Sequence, residues 1–75
     1  MYHTNSIITA TTYEVERAYN DCRFLNSNST RRSMMDKSFG AVCLASALLP
    51  PEDLDKINNL WEEYKPKFEA LIYGE

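Results

Sequence analysis

Phe39-Gly40-Ala41-Val42-Cys43-Leu44-Ala45-Ser46-Ala47-Leu48-Leu49-Pro50-Pro51 decides the fold. Eleven residues without a charge precede the two prolines. They do not alternate polar with apolar, as a half-buried strand does. A run of this length reads as helix. One so apolar around its circumference needs cover on several sides. Pro50 cannot continue the helix, whereas Pro51 suits the first turn of another, where its missing amide costs nothing. Gly40, Cys43 and Ala47 fall on one line at steps of three and four. They form a small-residue seam that lets a second helix approach. Gly40 costs about 1 kcal/mol of helix propensity relative to Ala, and close packing is the reading that accounts for it.

Upstream, Arg31, Arg32, Ser33, Asp36 and Lys37 make the first half of this helix polar. Ser29 or Thr30 is the expected cap, which places the helix at 30–49. Asn26-Ser27-Asn28-Ser29 is a turn cluster, because these side chains compete for the backbone. Before it, Val15, Ala18, Tyr19, Cys22 and Leu25 make one apolar stripe. Thr11-Thr12-Tyr13-Glu14 fits a capping box, so an earlier helix is expected over 12–25. Residues 1–10 show no helical period. They read as an extended arm, pinned by Ile7 and Ile8.

Downstream, Glu52, Asp53 and Asp55 complement the positive end of a helix that starts at Pro51. Leu54, Ile57, Trp61, Tyr64, Phe68 and Leu71 follow at alternating steps of three and four, a heptad-like seam. Glu52–Lys56 and Glu63–Lys67 are favourable pairs four apart. Gly74 is placed to end the helix, giving 51–73. Pro66 is the anomaly. It removes one backbone bond and clashes with the preceding turn. Because the seam keeps its register, a kink is expected near Pro66, with a break near Lys65 as the alternative. The expected fold is all-α: a small three-helix bundle over residues 11–75 with an N-terminal arm over 1–10.

At 75 residues the chain buries only about 60% of its unfolded surface, so its core is marginal without oligomerisation, metal or disulfides. Its 44% apolar and 25% charged residues are those of an ordinary folded domain. The net charge of −3 argues against general nucleic-acid binding. The charge is uneven: −2 over residues 1–16, +3 over 17–37 and −4 over 38–75. A basic middle between acidic ends favours antiparallel self-association or an oriented complex. The N-terminus has no basic segment followed by an apolar stretch, and the apolar run is half a membrane span. A cytoplasmic chain with reduced thiols, off the membrane, is expected. The glycosylation-like Asn28-Ser29-Thr30 has no meaning there.

Site chemistry is sparse. His3 is the only histidine, so neither a Ser-His-Asp nor a Cys-His arrangement can be assembled around a second one. Cys22 and Cys43 lack the spacing and partners of a zinc site. They read as core thiols, with a disulfide between the first two helices as the alternative. Two glycines cannot cradle a phosphate. The expectation is no catalysis, no metal and no cofactor.

Binding features remain. Glu52, Asp55, Glu62, Glu63 and Glu69 give the third helix an acidic face suited to a basic target surface. Met34, Met35, Trp61, Tyr64 and Phe68 are candidate contacts with a second copy or a partner, against the simpler reading that they fill the core. Arg23, Arg31, Arg32 and Lys37 are candidate phosphate contacts. The leading expectation is a self-associating adaptor or inhibitor, encoded by a phage or other mobile element, that docks a helical face on a larger protein. The alternatives are a small nucleic-acid-binding regulator and a structural subunit of an assembly.

Overall fold

The computed structural model describes residues 3–74. Three helices run in chain order: α1 over Thr4–Cys22, α2 over Asn28–Leu48 and α3 over Leu54–Tyr73. A short 3-10 turn, Pro51–Asp53, leads into α3. Each helix packs on both others, in a body measuring 39 × 19 × 15 Å. The all-α bundle expected from the sequence is the observed fold. No helix among the described residues is long and apolar enough to cross a membrane.

The extended arm is a correction. Residues 4–10 form the first two turns of α1, and Thr11 lies inside the helix. The Thr11 hydroxyl donates 2.7 Å back to the Ile7 carbonyl and so caps nothing. Thr, Asn and Ser have modest helix propensity, which hid the period. Packing overrides it: Ile7, Thr11, Val15 and Cys22 continue one inward stripe, with Thr11, Val15 and Cys22 buried. Residues 1 and 2 of the expected arm lie outside the described residues.

The expected cap is a correction: Ser29 and Thr30 lie inside α2, and Ser27, two positions before Ser29, caps the helix by accepting the Thr30 amide at 3.3 Å. α2 turns Ser38, Val42, Ala45 and Leu49 inward, at steps of four, three and four. α3 buries Ile57, Phe68 and Ile72, and half-buries Leu54, Trp61, Tyr64 and Leu71 along the expected seam. Burying Phe68 completely contributes about 2–3 kcal/mol. Its ring takes the edge of Tyr19 at 5.7 Å, and Tyr19 meets Tyr64 at the same distance.

α3 passes through Pro66 as one helix, so the expected break near Lys65 does not occur. Pro66 and Glu62 are both exposed, and water can reach the carbonyl that Pro66 leaves without a donor. Gly74 ends α3 in the left-handed region at φ 76°, its amide donating 3.1 Å to Ala70. Cys22 is buried, Cys43 is exposed, and both are free thiols. The core-thiol reading therefore holds for Cys22 alone, and no disulfide joins α1 to α2.

Candidate functional site

Three surfaces hold the residues singled out from the sequence. The first lies where α1 and α2 meet. α2 turns Ser38, Val42, Ala45 and Leu49 inward and leaves three large apolar side chains outside: Leu44 is 63% exposed, Leu48 53% and Phe39, on the α3 side, 49%. Gly40, Cys43 and Ala47 lie on the same outer side, also exposed. The seam thus meets no helix of its own chain, and a methyl at Gly40 would touch nothing within 4 Å. Beside this ridge runs a hollow of about 530 Å³, walled by Ile7, Ala10, Leu44 and Leu48 over Ala41 and Ala45. Ser6, Thr11 and Glu14 are its only polar lining residues. Farther along the same helix pair the groove becomes charged, with Glu14, Arg17, Asp21 and Lys37 around Met34 and Ser38.

The second surface is the end of the bundle where α1 turns into α2. α1 unwinds there through bonds from Phe24 to Asp21 and from Leu25 to Cys22, 3.1 and 3.2 Å long. Arg31 closes this end. Its Nε donates to the Cys22 carbonyl at 3.2 Å, one Nη to the Leu71 carbonyl at 2.8 Å and the other to the Leu25 carbonyl at 2.6 Å. The guanidinium fork ties the C-terminal ends of α1 and α3 to the start of α2 and offsets their negative ends. Arg31, a candidate phosphate contact in the sequence, is turned onto the fold itself. Arg32 is exposed, 5.6 Å over the Tyr73 ring. Arg23 and Lys37 are exposed and well separated along the chain. The Cys22 thiol, facing the Arg31 carbonyl at 3.8 Å, is pushed up by burial and by Asp21, with Arg31 opposing.

The third surface is the outside of α3. Glu52, Asp55, Glu62 and Glu63 are exposed, and Glu69 is half-buried. Glu63 pairs with Lys67 at 3.5 Å, as its spacing suggests. Lys56 reaches Asp53 at 3.3 Å, where the sequence suggested Glu52. Lys67 also lies 4.7 Å over the Tyr64 ring.

Of the proposed contact residues, Phe68 is fully buried and belongs to the core, because the α3 seam is what the other helices cover. Trp61 and Tyr64 are half-buried, Trp61 between Phe39 at 5.5 Å and Phe68 at 6.2 Å. Met34 and Met35 pack at the edge of the core. The hollow's α1 wall, Ile7 and Ala10, was not foreseen, because that segment read as an arm. The α2 wall was signalled by a run too apolar for one set of neighbours. No group of three or more His, Cys, Asp or Glu able to hold a metal occurs among the described residues. Comparison with family models, curated proteins and solved structures found no match.

Proposed function

We propose that this chain is a small protein-binding module that acts by contact and not by catalysis, as an adaptor or inhibitor docking on a larger protein. One observation carries the reading: the α1/α2 face keeps Leu44 and Leu48 more than half exposed beside an apolar hollow. A chain with a marginal core gains nothing within itself from leaving these leucines on its surface. A companion chain covers this face. The acidic outside of α3 is a second surface, suited to a basic region of the target. The nucleic-acid alternative is weakened by Arg31, whose donors are engaged by carbonyls at the centre of the basic region.

The test replaces Leu44 by a photoreactive amino acid and irradiates cells that make the chain. A discrete adduct whose second component is identified as protein, and which disappears in Leu48→Glu, is expected. A folded chain giving no protein adduct at position 44 would contradict the reading.

A further inference from the structure

We infer that α1 is a two-position switch: it has a second start at Thr11, and its first two turns, residues 4–10, detach as a unit from a bundle that stays folded. The switch belongs to the chain alone, so it holds whether or not the docking reading does. Of the three helices, α1 has the weakest start. α2 is capped by Ser27, and α3 is entered through Pro51 with Glu52, Asp53 and Asp55 around its first turns. α1 begins after His3 with no side-chain cap and no acidic residue in its first turn. Its positive end is left without a compensating group. Residues 4–10 are Thr, Asn, Ser and Ile up to Ala10, and all of these favour helix less than Ala does. None of the seven is buried, and half-buried Ile7 and Ile8 hold the two turns to the core. Turns held by so little lie at the low end of local stability.

The second start is already present in the chain. Thr11-Thr12-Tyr13-Glu14 has the spacing of a capping box. In the long helix that box is idle. The Thr11 hydroxyl donates to the Ile7 carbonyl at 2.7 Å, and Glu14 is exposed and joins no ion pair found among the described residues. When residues 4–10 leave, the Ile7 carbonyl leaves with them. The Thr11 hydroxyl is then free to accept the Glu14 amide, and the Glu14 carboxylate to accept the Thr11 amide. Glu14 passes from mid-helix to the first turn, where the helix dipole favours it. The shortened helix keeps its hold on the bundle, since Val15 and Cys22 are fully buried and lie past the second start.

The switch acts on the hollow. Ile7 and Ala10 are part of its α1 wall, so the long helix shapes the hollow and the short one opens its side along Leu44, Ala45 and Leu48. An occupant that touches this wall draws α1 to its long form.

The experiment is amide hydrogen exchange of the full chain, followed residue by residue by NMR. The amides of Ile8, Thr9 and Ala10 are expected to exchange through one shared opening, well before those of Ala18 to Cys22. Position 14 is helical in both forms, so Glu14→Ala cancels in propensity and removes only the box. It is expected to raise the protection of Ile8 to Ala10 about threefold. Ala10→Pro forbids the long helix and suits the residue before a cap. This variant is expected to lose about two turns of helical circular dichroism while Ala18 to Cys22 stay protected. In that background Glu14→Ala should lower the folding constant about threefold, and in the wild type it should leave that constant nearly unchanged. A contact made by Glu14 in the long helix would instead weaken both backgrounds alike. Protection of Ile8 to Ala10 that is unchanged or lowered in Glu14→Ala overturns the second start. Exchange of Ile8 to Ala10 in step with Ala18 to Cys22, or unfolding of the whole bundle by Ala10→Pro, overturns the detachment.

Discussion

Arg31 shows how one side chain settles the lower end of the bundle. It joins the Cys22 and Leu25 carbonyls at the end of α1 to the Leu71 carbonyl in the last turn of α3, about fifty residues away in sequence. Hydrogen bonds to a charged group contribute about 1.5–3 kcal/mol each, and some of that is lost to solvent here because Arg31 is only half-buried. Arg31→Ala is expected to cost about 2–4 kcal/mol in urea unfolding. Arg31→Lys should recover little of it, because an ammonium cannot span the three carbonyls as a fork does. A loss below about 0.5 kcal/mol would mean the clamp is incidental. Cys22 offers a pH test. Its folded thiol titrates above the ordinary 9.0 because burial disfavours the thiolate. The folded state therefore holds the proton more tightly than the unfolded chain. The contribution is complete below pH 9.0 and is lost as pH rises from there through the folded value. Tyr64, raised by burial and by Glu16 from its ordinary 10.0, extends the loss to higher pH. Unfolding midpoints should fall above pH 9, and Cys22→Ala should flatten the first part of the fall. An unchanged profile in Cys22→Ala would contradict this assignment.

At the scale of elements, the turn cluster, the prolines and Gly74 made α2 and α3 legible, although the cap of α2 fell two residues before the expected Ser29. Ser27 sits in the expected turn, Pro50 and Pro51 divide two helices, and Gly74 ends the third. Ser27→Ala should cost about 1 kcal/mol, with the loss of amide protection confined to the first turn of α2. The start of α1 was not legible. Its stripe crosses Thr11, a polar residue that buries its hydroxyl on the Ile7 carbonyl, and period counting skips such a residue. Pro66 was legible as an anomaly but not in its consequence. A proline is tolerated mid-helix where the carbonyl it orphans faces water, which is a property of position in the bundle. Pro66→Ala restores that backbone bond without disturbing buried neighbours, since Pro66 is exposed. It should stabilise the chain by about 1–3 kcal/mol on chemical denaturation. A destabilised variant would mean that Pro66 shapes α3 in a way the core requires.

For the whole molecule, the sequence announced an apolar surplus without saying where it would lie. The α3 seam and the α2 run were equal claimants for an outside contact, since either could have covered the other. The bundle resolves this by turning the α3 aromatics inward against Tyr19 and leaving the outer side of α2 bare. The candidate site was thus half legible: its α2 ridge was visible as an uninterrupted run, and its α1 wall depended on a helix start that packing alone fixes. The central claim is that this bare face exists on the isolated chain and is covered when chains meet. A soluble paramagnetic probe measures it through relaxation of individual methyl groups. In the isolated protein the Leu44 and Leu48 methyls should relax strongly while those of Val15 and Ile57 stay shielded, and a chain bound at this face should protect Leu44 and Leu48 together with Ile7 in the wall of the hollow. Leu44 and Leu48 methyls as shielded as Ile57 in the isolated protein, or equally accessible beside every partner, would contradict it.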